Sequence, residues 1–338
     1  MRKANSIAKV AITAGLAFGL IAAGATTAQA EPNPTGFRTF AAVGSDTTQD
    51  LYNAFSNGYD NVFDGTLNPD VAAIAGSIAS YDAFGSATIK TNSTGPTYTR
   101  PAGSGDGRKA LSAAHDPNNH AWKGSTLSSA DLAIARSSGK PSAANTVTVG
   151  STDNNLTSIP LARDAVGVAT KGISSSVTNL KTEQLTAIFG GGTGAAATGN
   201  YHQNASATVF TPGDIIRASG ALDDPILVVS VTPTGAVAAT AQLHPKLPQD
   251  GSGTRSFLLG AVGAAQASWV ESGFAENDAT ALTTTGDVIP FSAAQYISQY
   301  NDKVADTGVA GINLPSINSL PAVTFAAGNV ARPGTLYG

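Results

Sequence analysis

Gln249-Asp250-Gly251-Ser252-Gly253-Thr254-Arg255-Ser256-Phe257 sets two glycines, small hydroxyl residues and an arginine directly before an apolar run from Phe257 to Val270. The run is rich in Ala, Leu and Val and lacks proline, which predicts a helix over it. A small-residue loop entering a helix is a natural seat for an anion. The first N–H groups of the helix have no internal partner, the helix dipole is positive there, and glycine lets backbone approach a ligand. Ser252 and Thr254 can cap the helix or donate to an oxyanion, and Arg255 can close on it with a planar fork of donors. The same residues also make a well-capped helix after a tight turn and nothing more.

Similar junctions recur upstream. Gly44-Ser45-Asp46-Thr47-Thr48-Gln49 follows a strand predicted over residues 37–43 and precedes a helix with Leu51, Phe55 and Tyr59 four apart. Asp46 and Gln49 have the spacing of a capping box. Pro101-Ala102-Gly103-Ser104-Gly105-Asp106-Gly107-Arg108 leads to a helix expected to begin at Lys109-Ala110-Leu111. A strand over residues 130–135 ends in Arg136-Ser137-Ser138-Gly139. Repeated strand–loop–helix units predict an α/β fold whose ligand groups gather at the carboxyl ends of strands. Further strands are expected over 145–149, 159–161, 165–170, 225–231 and 287–291, and helices over 181–189 and 292–300. His115 to Gly124 reads as a polar surface loop, and Gly190 to Asn200 as a flexible one.

The chain has 338 residues, no cysteine, a formal net charge of −4 and only 12% charged residues. Residues 1–30 have the pattern of an export signal: Arg2 and Lys3, an apolar stretch from Val10 to Ala23, then Ala28-Gln29-Ala30 as a small-x-small cleavage site. The remaining length suits two domains at about 150 residues each. Without cysteine there is no disulfide, no thiolate metal site, no cysteine nucleophile and no lipid-bearing cysteine. The expectation is a secreted or periplasmic protein without a lipid anchor. No basic stripe suggests a nucleic-acid partner, and no later segment suits membrane insertion.

Several chemistries lack their residues. Neither Ser252 nor Ser104 sits in Gly-x-Ser-x-Gly, since Asp250 and Ala102 stand two residues before them. The histidines at 115, 120, 202 and 244 have no metal-ligand spacing. Gly139-Lys140 continues into Pro141, which removes an N–H that a Walker loop needs. No cofactor is implied. Binding without catalysis is the leading expectation; a phosphate-ester hydrolase and an extracellular interaction protein are the alternatives.

Asp250-Gly251-Ser252-Gly253-Thr254, with Gly103-Ser104-Gly105, Gly44-Ser45-Asp46-Thr47, Leu185 to Gly191 and Ile289-Pro290-Phe291, resembles the phosphate-binding proteins of bacterial phosphate ABC transporters. The resemblance implies a two-lobed type II periplasmic binding protein fold. Each lobe would be a mixed sheet flanked by helices, with lobe I over 36–160, lobe II over 161–290, and 291–338 returning to lobe I. It implies a monomer that closes on phosphate or a related oxyanion and hands it to a membrane permease. Ser252, Gly253 and Thr254 would donate from one lobe, Thr47 and Ser104 from the other. Two positions depart from the family. Pro248 stands where the family has an arginine, leaving Arg255 or Arg136 to supply the cation. Arg136-Ser137 stands where the family has its proton-accepting carboxylate, leaving that role to Asp46.

Overall fold

A computed structural model describes residues 32, 36–58, 77–118, 120–139, 156–173, 177–190, 214–217, 226–231 and 237–337. The leader expected over 1–30, the strand expected over 145–149 and residues 191–200 lie outside these. The chain runs from β1 (Phe40–Gly44) through α1 (Gln49–Asn57) to β2 (Ile78–Ser80). It continues through the paired β3 (Thr88–Ile89) and β4 (Tyr98–Thr99), α2 (Ser104–His115), the hairpin β5 (Ala121–Trp122) and β6 (Ser125–Thr126), and β7 (Ile134–Arg136). β1 lies between β2 and β7, parallel to both. Its inner residues are small, so α2 packs closely on it, and Ala41, Val43, Ala110 and Ala113 join Tyr98, Trp122, Leu127 and Leu132 in one core.

The second half holds β8 (Val166–Thr170), β9 (Asn179–Leu180), α3 (Thr182–Phe189), β10 (Ile215–Arg217), β11 (Ile226–Val231) and β12 (Val237–Gln242). Then come β13 (His244–Pro248), α4 (Gly253–Ala261), β14 (Glu271–Phe274), β15 (Asp287–Ser292) and α5 (Ala293–Tyr300). β10, β11 and β12 form an antiparallel meander. The central sheet has the order β14-β13-β15-β8, with β13 parallel to β14 and β15, and β15 antiparallel to β8. Every residue of β15 is buried. Pro290 is tolerated there because β13 pairs only with the start of the strand, so its missing N–H costs no ladder bond on that side. A second core gathers Val168, Leu185, Ile188, Phe189, Leu247, Leu258 and Val288. The chain closes with β16 (Ser316–Ile317), which pairs with β9, and the hairpin β17 (Val323–Ala326) and β18 (Val330–Pro333). That hairpin docks on α5 through Asn301, whose amide bonds the Ala331 backbone in both directions. Among the described residues the architecture is mixed α/β, with several small sheets and five α-helices.

Several local expectations are corrected. α2 begins at Ser104, not Lys109, and takes Gly105 and Gly107 into the helix. A Cβ on Gly107 would stand 2.7 Å from the Gly44 Cα. The glycine is there for close crossing of helix and strand, not as a breaker. α4 stops at Ala261, well short of Val270. Gly263 turns left-handed at φ 63, and Ala264 N–H closes back on Leu259 O at 2.9 Å, a glycine-ended helix terminus. His115 ends α2, residues 116–118 and 120 form no regular element, and the rest of the expected loop is the β5–β6 hairpin. Lys123 (φ 41) and Gly124 (φ 85) form its turn, both left-handed, and Trp122 is buried with Nε1 donating to Thr99 O at 2.8 Å. Asp46 and Gln49 make no capping box: Thr48 is the N-cap without a side-chain bond, and Gln49 Oε1 accepts from Ala83 N. Residues 159–161 form no strand, and Ile159 is solvent-exposed.

Candidate functional site

The small-residue junctions meet in space. Gly105 N–H at the start of α2 donates to Gly251 O at 2.8 Å, ahead of α4. A side chain on Gly103 would strike that same carbonyl, and both Gly103 and Gly251 hold positive φ. Gly253 opens α4 directly against Ser104 and Ser138; a Cβ there would come within 2.5 Å of Ser104 Oγ and closer still to Ser138 Oγ. Ser104 Oγ in turn accepts from Ser138 N at 3.0 Å and lies 3.1 Å from Ser138 Oγ. Two helix N-termini and the end of β7 therefore share one point.

Their donors are only partly free. Ser252 caps α4, its Oγ accepting from Arg255 N at 3.0 Å. Thr254 N–H points to Glu276 Oε1 at 3.3 Å, so a buried carboxylate of the chain itself already sits on this helix terminus. Thr47 Oγ1 lies 3.5 Å from both Thr254 Oγ1 and Glu276 Oε2 and accepts from Asn277 Nδ2 at 3.1 Å. Asp46 hydrogen-bonds Glu276, and one of its carboxylate oxygens is buried without a partner. Burial, then the Glu276 charge and the hydrogen bond between them, hold the Asp46 carboxyl well above its ordinary range, against the opposing pull of Thr47 N–H and Arg136. Asp46 therefore keeps its proton to a higher pH than an isolated aspartic acid would. No feature of Phe274-Ala275-Glu276-Asn277 marked Glu276 in the sequence. It is placed by Asn277, in left-handed conformation at φ 56, which is tied to Thr47, to Ser292 N and to Gln299.

Three arginines compete for the cation's role. Arg136 is wholly buried and spends its guanidinium on Ser45 O, Ala42 O, Ser80 Oγ and Tyr81 O, tying β1, β2 and β7 together. Burial pushes its pKa down to about 10. Arg255 turns back along α4, pairing with Asp250 at 2.6 Å, Gln266 Oε1 at 2.6 Å and Pro248 O at 3.1 Å. Arg108 is the one not foreseen. Its Nη1 donates to Ser137 Oγ at 2.7 Å, while its Nε is buried with no partner. Desolvation lowers its pKa, so its charge is held at a cost that an anion beside it would relieve. Arg108 lies four positions after Ser104, which sets both on one face of α2; that spacing was the available signal.

A cavity of about 960 Å³ opens beside this point. Thr47, Arg136, Ser137, Gly253 and Thr254 line it, joined by Arg108, Ser138 and Gly139. Asp46, Ser104, Ser252 and Arg255 do not line it. Asp46 and Ser104 lie behind residues that do, and Ser252 and Arg255 serve the start of α4 itself. Among the described residues, no group of three or more His, Cys, Asp or Glu side chains is placed to hold a metal, and no helix is long and apolar enough to cross a membrane. The chain matches no family model and no curated protein.

Proposed function

We propose that the protein is an exported, non-catalytic binder of phosphate or a related oxyanion, with the anion seated where α2, α4 and the end of β7 meet. The observation that carries this reading is Arg108. A desolvated guanidinium with a buried, unpartnered Nε lines the same cavity as Ser137, Ser138 and the N-terminal residues of α4. Orphaned donors around a recess in an otherwise acidic chain are what an oxyanion would satisfy. The separate cores around β1 and β13, with β8 and β15 antiparallel beside them, support a two-lobed type II arrangement in which those strands connect the lobes. Ligand would then close one body on the other about β8 and β15. Delivery to an ABC permease follows from the sequence resemblance and rests on it alone.

The position of Glu276 adds a step. With its carboxylate on Thr254 N–H, an incoming anion would have to displace it or bind in front of it at Gly253, Ser138 and Arg108. The test is thermal denaturation with phosphate, sulfate, arsenate and molybdate. An oxyanion at a hundred times its Kd should add about 2.7 kcal/mol, or about 4 °C in Tm. No shift with any of the four would sink the reading. A chromogenic phosphate ester should stay intact under the same conditions, and turnover would replace a binder with a hydrolase.

A further inference from the structure

The recess is far larger than the anion seat. A bare tetrahedral oxyanion displaces the volume of a few waters, on the order of 60–90 Å³ at about 30 Å³ each. The cavity measures about 960 Å³, within the range of pockets that hold organic molecules. Its walls beyond the seat are more apolar than polar. Of the nine large hydrophobic side chains that the described residues expose, four line this one cavity: Leu51, Ile159, Leu161 and Phe257. Phe257 is 55% exposed and sits one helical turn beyond Gly253, so the anion seat and the ring share the face of α4. Exposed apolar groups gathered at one recess mark a binding surface more often than scattered ones do.

The charges in the recess have the opposite sign to the chain. Arg108, Arg163 and Lys303 line it, against Asp50 and Asp164, while the guanidinium of Arg136 is spent on β1 and β2. Both carboxylates are engaged: Asp50 accepts from Gln295 Nε2 at 3.0 Å, and Asp164 accepts from Ser292 Oγ at 2.6 Å. In a protein of formal net charge −4 the recess is thus a local cationic spot with apolar walls. That combination complements a molecule with an anionic head and an apolar body.

We infer that the ligand is an organic oxyanion, a soluble phosphate monoester or phosphonate carrying an aryl or short alkyl group, and not the bare inorganic ion. The head sits at Arg108, Ser137, Ser138 and Gly253, and the body lies against Leu51 and Phe257. The inference rests on the oxyanion reading above and narrows it to a ligand class.

Calorimetric titration of the whole mature chain with inorganic phosphate, methylphosphonate, phenylphosphonate and phenol tests it. Phosphonates are used because their carbon–phosphorus bond would survive a hydrolase. Phenylphosphonate should bind at least tenfold more tightly than phosphate, methylphosphonate should fall between, and phenol should not bind measurably. In Phe257→Ala, and independently in Leu51→Ala, the ratio of phenylphosphonate to phosphate affinity should collapse towards one. Both side chains are substantially exposed, so both variants should fold. Phosphate binding as tightly as phenylphosphonate, or a ratio unmoved by both substitutions, would overturn the inference while leaving the oxyanion reading standing. Phenol binding as well as phenylphosphonate would overturn it from the other side, by removing the anionic head. Failure of every anion to bind would remove the oxyanion reading itself.

Discussion

Replacing Arg108 and Arg136 separately by methionine should divide binding from stability. Arg136 donates to Ser80 Oγ and Tyr81 O at 2.7 Å each, and to Ser45 O and Ala42 O at 3.1 and 3.3 Å. Methionine fills much of the volume but takes the guanidinium from these acceptors, of which Ala42 O keeps the Tyr81 N–H at 2.9 Å, at about 1–3 kcal/mol for each one left unsatisfied. Removing a desolvated cation returns part of that. A net loss of about 2–4 kcal/mol is expected, dominated by the two short bonds. In a chain of this size that lowers Tm by about 3–6 °C. Arg108 has one such bond, to Ser137 Oγ, and an Nε bonded to nothing. Its loss should cost under about 1 kcal/mol of stability. It should, however, remove a charge-assisted contact worth about 1.5–3 kcal/mol to a bound oxyanion, a ten- to hundredfold rise in Kd. Differential scanning calorimetry reads the first effect and isothermal titration with the tightest-binding oxyanion the second. If Arg108→Met keeps full affinity, or if Arg136→Met keeps its Tm and loses only binding, the two roles have been assigned the wrong way round.

Asp46→Asn tests the buried carboxyl pair. Because the native state raises the Asp46 pKa, this group's stabilisation is full below the unfolded carboxylate value and is lost as pH rises through the native one. The variant should therefore show a higher Tm at neutral pH and a flatter decline between acid and neutral pH; an unchanged or steeper decline would refute the pairing. Asp287→Asn tests the reverse sign. Burial opposes ionisation of Asp287, but Lys246, 2.8 Å away, and the N–H groups of Thr283 and Thr284 outweigh it and lower its pKa. Its contribution is present above the unfolded carboxylate pKa and lost as pH falls through the native one. Leaving Lys246 without its countercharge, though still on Ala281 O at 2.7 Å, should cost up to about 3 kcal/mol at neutral pH, read by urea denaturation. In the same assay Gly107→Ala should lose about 1–3 kcal/mol, because its Cβ meets the backbone of Gly44 and Val43. Gly260→Ala, with nothing within 4 Å, should gain about 0.5–1 kcal/mol from helix propensity. Similar values for the two glycines would refute the close crossing of α2 over β1.

Much of the local structure was legible because it obeys local rules. The apolar runs became β8, β11 and β15. Leu51 and Phe55 lie in α1, with Tyr59 outside the described residues, the helix expected over 292–300 is α5, and the glycine after Phe189 stopped α3. Ser252 capped α4 as its position required. The misses at α2 and α4 share one cause, which is that a glycine's meaning depends on what it faces. Gly107 is helical because Gly44 lies against it, while Gly263 ends a helix by turning left-handed. Composition cannot tell these apart.

The sequence by itself determined that small-residue loops would enter helices beside strand ends, since caps, turns and hydrophobic periods are set by neighbours a few residues apart. Which side chains share the site was decided only in three dimensions. Arg136 and Arg108 are both arginines beside serines. One is consumed because Ala42, Ser80 and Tyr81 turn their acceptors on it, and the other keeps a buried Nε that no acceptor meets. Glu276 reaches Thr47 across 229 positions of chain. Contacts at that separation depend on the packing of whole elements, and no local pattern encodes them.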